Sequence, residues 1–342
     1  MLDKFKATIW GLAIGDTLGY QVEFSSLREI KRRHGEAGVQ SFPAGATFSD
    51  DTQMSVALAE GLLDAHAFAL SISEGKDNEV RRASLATLVC IPEQVMPYVA
   101  KQFTKWAFGP KNTRAPGTTC VGGCRNLRDG KPWTQSGIMH SKGCGSAMRA
   151  SPVGLVYSDP KVVNEMARAS SVITHGHQAA LDAAHAAALG VRLLLDGVKP
   201  MEMIGEVFKQ CAQDERFLYL LSSVLPLVGA TDRGEITPEK VQTRDHLGES
   251  WAGDEAVASA LYCFLLAHKR GEGYVETVRY GANTCGDSDS ISAIAGSLAG
   301  ARWGIGGERG IPLSWIEHVE DRDELELLAQ RLYNLHAEIA AT

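Results

Sequence analysis

The stretch QAALDAAHAAALGVRLLL, Gln178 to Leu195, decides the fold class. Its alanines and leucines recur three and four apart, which is the spacing of a helix and not the alternation of a strand. They are dense enough to cover more than one face, and a helix apolar on several faces must be buried among other helices. Moving outward, Glu255 to His268 repeats the pattern through Val257, Ala260, Leu261, Phe264 and Leu265. The same spacing predicts helices over Lys4 to Ile14, Asp51 to Ala69, Asp289 to Trp303 and Glu324 to Ala340. Strand alternation is almost absent, so the expected fold is all-α. No internal repeat or linker divides the chain, and a single domain over 1–342 is expected. One segment, Phe108 to Lys142, is rich in Gly, Pro, Thr and basic residues and shows neither period. A stretch of that length without periodicity in a folded domain is usually functional.

Composition narrows the function. The 342 residues carry 34 Lys and Arg against 41 Asp and Glu, a net charge of −7. That lacks the basic excess that holds a nucleic-acid backbone, so nucleic acid is excluded as a bulk partner. Apolar residues at 44% and charged residues at 22% are those of a folded chain, not a disordered one. Seven cysteines, scattered without paired spacing, point to a reducing, cytoplasmic setting. Lys4 and Lys6 before Ala7 to Ile14 imitate a signal peptide, but Asp16 follows at once with no small-x-small site. No run is expected to reach the ~20 apolar residues of a membrane helix, and no membrane partner is expected.

Two acidic clusters stand at loop-to-helix junctions. In Ser49-Asp50-Asp51-Thr52-Gln53-Met54 the serine can cap the helix while the aspartates complement its dipole. Equally, the two carboxylates and a hydroxyl can make half of a hard-cation site. In Gly286-Asp287-Ser288-Asp289-Ser290 the donors Asp287, Asp289 and Ser290 are all oxygens, which suits Mg²⁺, Ca²⁺ or Mn²⁺ and not zinc or copper. Alone, it too reads as an acidic cap. If the clusters meet, their four carboxylates repel strongly unless divalent cations neutralise them.

Further along, Ser141-Lys142-Gly143-Cys144-Gly145-Ser146-Ala147-Met148-Arg149 places two glycines around one residue, which suits either a tight turn or a backbone nest for a phosphate. It is neither a Walker loop nor a dinucleotide fingerprint, and Cys144 reads as a small residue, not a nucleophile. Thr174-His175-Gly176-His177 lacks the third ligand of a zinc site. Asp182 and His185, three apart on one helical face, read as a local side-chain pair.

Together with Gly15-Asp16-Thr17-Leu18-Gly19 and Val22-Glu23-Phe24, these motifs resemble, in order and across most of the chain, the ADP-ribosylglycohydrolases. The resemblance implies an all-α fold with a cleft for ADP-ribose and two divalent metal ions, Mg²⁺ or Mn²⁺. By the same resemblance the ligands are Ser49, Asp50 and Asp51 on one side and Asp287, Asp289 and Ser290 on the other. It also implies that Gly143, Cys144, Gly145, Ser146 and Met148 hold the diphosphate and that His175 lies near ADP-ribose. Glu23 would sit on a segment covering the site as a catalytic residue, with Asp50 or Asp51 as general base. Asp16 would orient a ligand or a helix start.

The implied reaction removes ADP-ribose from modified protein side chains, arginine foremost, reversing a regulatory or toxin-inflicted modification. The same site also suits serine-linked ADP-ribose or O-acetyl-ADP-ribose, and an immunity-type reading has the protein bind an ADP-ribosylating toxin. At Ala115-Pro116 the family's nitrogenase-regulating branch carries an aspartate, so the expectation is that Phe108 to Lys142 borders the cleft and selects the substrate.

Overall fold

The computed structural model describes residues 1–73, 77 and 87–341, and among them the secondary structure is helical. In chain order the main helices are α1 (Leu2–Tyr20), α2 (Leu27–His34), α3 (Asp50–Ile72), α4 (Pro92–Ala107), α5 (Thr118–Arg128), α6 (Ser151–Val156) and α7 (Pro160–Val172). They continue as α8 (Gln178–Leu195), α9 (Pro200–Cys211), α10 (Glu215–Asp232), α11 (Gly253–Lys269), α12 (Tyr274–Ala282), α13 (Ser288–Trp303) and α14 (Arg322–Ala340). No strand forms among the described residues. Isolated bridges tie Ile138 to His175 and Gly143 to Ala252, and both lie beside the cleft described below.

The all-α expectation holds, with α8 matching its sequence bounds and buried on several faces, from Ala179 through Leu195. Two expectations change. Lys4 to Ile14 runs on to Tyr20, because Gly15 and Gly19 do not end the helix but face a neighbour. The segment Phe108 to Lys142 contains α5, whose Gly122 and Gly123 and its polar face hide the apolar period; only Cys120, Gly123 and Cys124 are buried. One helix also departs from the membrane expectation: α3 has the length and a mean hydropathy, 1.3, of a spanning segment. Half of that window is buried, and α3 packs on α4.

The packing of α1 on α13 positions everything that follows. Gly11, Gly15 and Gly19 are four apart on α1 and lie against Gly296, Ser292 and Ser288 of α13. A Cβ at Gly15 would stand 2.1 Å from the Ser292 carbonyl oxygen, and one at Gly19 would stand 2.3 Å from that of Ser288. The backbones are therefore in contact with no room for side chains. The Ser288 hydroxyl donates to the Gly19 carbonyl across this seam. The result sets the C-terminal end of α1, and the Glu23 turn after it, beside the N-terminus of α13.

Candidate active site

Asp16, fully buried on α1, reaches the start of α3. Its Oδ1 accepts from the Ser49 backbone N–H at 2.9 Å, and its Oδ2 accepts from the Thr52 N–H at 2.9 Å and the Thr52 hydroxyl at 2.5 Å. The Ser49 hydroxyl accepts from the Asp51 N–H. Sequence left a cap and a cation site as alternatives at Ser49 to Met54, and the cap is realised, with Asp16 supplying most of it. The carboxylates of Asp50 and Asp51 remain on the cleft side.

The two acidic clusters, more than two hundred residues apart in sequence, do meet. One cleft of about 200 Å³ is lined by Glu23, Asp50, Asp51, Asp287, Asp289 and Ser290. Carboxylate oxygens of Glu23, Asp287 and Asp289 lie within 4.8 Å of one another. Asp50 Oδ2 accepts from the Gly117 N–H at 3.1 Å, and Asp289 Oδ1 accepts from the Ser290 N–H. The Cys144 thiol donates to Asp287 Oδ2 at 2.7 Å. Asp51 Oδ2 and Glu23 Oε2 are buried with no hydrogen-bond partner.

Burial raises every one of these acids, and at Glu23, Asp50, Asp51 and Asp287 repulsion by neighbouring carboxylates adds to it. Asp50, Asp51 and Asp287 sit well above the usual carboxylate range, and burial lifts Asp289 as well. Burial and then Asp289 push Glu23 up to about 10 and Asp16 to about 7. Charges this close stay ionised only with counter-cations among them. The donors are all hard oxygens, and two of the buried oxygens have no partner among the described residues. Divalent cations of the Mg²⁺ or Mn²⁺ class fit that set.

The opposite wall comes from the glycine pair. Gly143, Cys144, Gly145, Met148 and His175 line the cleft, as expected. Ser146 does not: its hydroxyl turns away to donate to the Ala180 carbonyl, so only its backbone can face a ligand. The nest reading is also reduced at Cys144, whose N–H donates to the Trp251 carbonyl. Asp182 and His185 form no pair. Asp182 binds Arg168, Gln178 and the N–H groups of Gln213 and Asp214, whereas both His185 ring nitrogens are buried without partners.

Sequence reasoning missed Trp251 and the exact reach of the segment around the start of α5, where Ala115 and Gly117 of the loop and Thr118, Thr119 and Cys120 of the helix line the cleft. Ala115 carries a positive φ of 50°, the one sign of a special role there, and it is visible only in the structure. Trp251 stacks on exposed Phe24 at 6.0 Å between ring centroids, next to Glu23.

Among the described residues, whose secondary structure is helical, carboxylates from α3, from the N-terminal end of α13 and from the turn after α1 gather around one cleft, the class of site whose donors suit divalent cations. Comparison with known proteins gives the narrower statement. The sequence model of the ADP-ribosylglycohydrolase family matches residues 1–341, and the chain belongs to that family. It is 28% identical to human ADP-ribosylhydrolase ARH3, over 98% of this chain and 94% of that one. It is 25% identical to ADP-ribosylarginine hydrolase Tri1 of Pseudomonas putida, over 97% of this chain and 78% of that one. A solved structure described as an ADP-ribosylglycohydrolase-related protein complex superposes with a TM-score of 0.65 at 26% identity, covering 98% of each chain.

Proposed function

We propose that this chain hydrolyses the bond between ADP-ribose and an arginine side chain of a modified protein, using a pair of divalent cations, Mg²⁺ or Mn²⁺. Asp50, Asp51, Asp287 and Asp289 would hold the cations, with the hydroxyls of Ser49 and Ser290. When bound, the cations would neutralise the carboxylates, orient the ribose hydroxyls and make water nearby more acidic.

The observation that carries the arginine reading is the charge of the lining: five carboxylates and no lysine or arginine side chain. Two divalent cations balance four of these charges, and the carboxylate left over, at Glu23, would draw a guanidinium leaving group where a neutral hydroxyl gains nothing from it. Cleaving the bond builds positive charge on the ribose, so carboxylates left partly exposed to it stabilise the transition state more than the ground state. Glu23, whose buried Oε2 has no partner among the described residues, would orient the scissile group, and Asp50 or Asp51 would accept the proton of the attacking water. Similarity to Tri1, named as an ADP-ribosylarginine hydrolase, supports the same reading.

The test is release of free ADP-ribose from arginine-modified and serine-modified proteins with Mg²⁺, with Mn²⁺ and after chelation. Chelator-sensitive release from arginine alone, abolished in Asp287→Ala, is the expected result. Release from serine alone overturns the linkage. Binding of ADP-ribose without release from either would leave O-acetyl-ADP-ribose, or an immunity-type role towards a toxin, as the reading to pursue.

A further inference from the structure

Behind the glycine wall runs a buried chain of donors that the reading above does not use. Arg149 and Thr174 are fully buried and His175 nearly so. The Arg149 guanidinium lies over the Phe103 ring and donates through Nη2 to the Ser170 carbonyl at 3.0 Å and to Thr174 Oγ1 at 2.7 Å. Thr174 Oγ1 in turn stands 2.8 Å from His175 Nδ1. The far side of the His175 ring lies against the glycine pair. A Cβ at Gly145 would be 3.0 Å from Cε1, and one at Gly143 would be 3.3 Å from Nε2. His175 lines the cleft, and its Nδ1 is the ring nitrogen engaged by the protein.

The direction of each proton follows from the chemistry. Guanidinium has donors and no acceptor, so the first link runs from Arg149 to Thr174. The threonine has a single proton left to give. Its nearest acceptor is His175 Nδ1 at 2.8 Å, against the Ser171 carbonyl at 3.5 Å. Burial, and then the Arg149 charge, lower His175 to about 3, so the ring is neutral and holds one proton. With Nδ1 accepting, that proton is on Nε2, facing the cleft.

We propose that Arg149 and Thr174 are positioning residues that lock His175 in the Nε2–H form, making it a neutral hydrogen-bond donor to the anionic diphosphate. The diphosphate part rests on the ADP-ribose reading above, whereas the tautomer does not. Reversed, the relay would turn a lone pair towards the phosphates.

The tautomer is read by nitrogen NMR of the protein labelled in histidine, in the absence of ligand. The expected pattern is a pyrrole-like Nε2 and a pyridine-like Nδ1 at His175, kept in Thr174→Ser and lost or mixed in Thr174→Val. ADP-ribose affinity, measured by calorimetry, should fall about tenfold in Thr174→Val, the scale of one hydrogen bond to a charged group, and recover in Thr174→Ser. A proton on Nδ1 in the unaltered protein, or a Thr174→Val variant with unchanged nitrogen pattern, overturns the relay. The expected tautomer in a protein that does not bind ADP-ribose leaves the relay standing and refutes the ligand reading instead.

Discussion

Asp16 touches none of the cleft, yet its two oxygens hold the Ser49 and Thr52 backbones in place, and with them the carboxylates of Asp50 and Asp51. Asp16→Asn keeps the size and turns one acceptor into a donor facing an N–H group. Residues that orient metal ligands typically change affinity by about 10- to 100-fold when altered. Mn²⁺ affinity measured by calorimetry should weaken by that range in Asp16→Asn while the helical circular dichroism is kept. Unchanged affinity would reduce Asp16 to a plain helix cap.

Among the elements, the seam between α1 and α13 reverses an ordinary expectation. Gly→Ala inside an exposed helix stabilises by about 0.5–1 kcal/mol. At Gly15 the added Cβ would meet the Ser292 carbonyl at 2.1 Å, so the helices must part. Overpacking of this kind costs about 1–3 kcal/mol. Gly15→Ala should lose that much stability in denaturant titration and also weaken cation binding, because Glu23 and Asp289 lie on opposite sides of the seam. The helices themselves were legible in sequence where apolar periodicity was strong, as in α8 and α11. So was each acidic cluster, because paired aspartates at a loop-to-helix junction are a local signal. Their meeting was not legible from residue spacing, since it depends on Gly11, Gly15 and Gly19, which carry no apolar signal of their own and act as contact points only against a partner. The resemblance to a family supplied that meeting in advance, as it did the places of Glu23 and His175 in the cleft. Trp251 belongs to no local pattern and was missed.

For the molecule as a whole, two buried histidines weaken the fold in acid, whereas the raised carboxyls around the cleft, when no cation is bound, act in the opposite direction. Burial holds His175 neutral down to about 3 and His185 down to about 4, whereas an unfolded histidine takes its proton near 6.5. Below 6.5 these two histidines therefore bind more protons in the unfolded chain, and their contribution to stability falls as pH drops towards 4. His185 has both ring nitrogens buried without partners, so His185→Leu removes the titration without breaking a hydrogen bond. Unfolding in denaturant should show the variant gaining about 2 kcal/mol on the parent at pH 5 relative to pH 8. An equal difference at both values would mean that His185 is protonated in the fold.

The α1 seam also bears on how the chain is made. Helix α1 ends at Tyr20 and its glycine-matched partner begins at Ser288, so the ribosome adds roughly 270 residues before the two can meet. At about 5–20 residues per second that is a wait of roughly 15–50 s for a helix whose residues from Ala7 to Gly19 are all buried in the finished fold. Throughout synthesis α1 is an apolar segment without its mate, a natural client for whatever shields nascent chains. Shortening the C-terminus before α13 would leave it in that state for good.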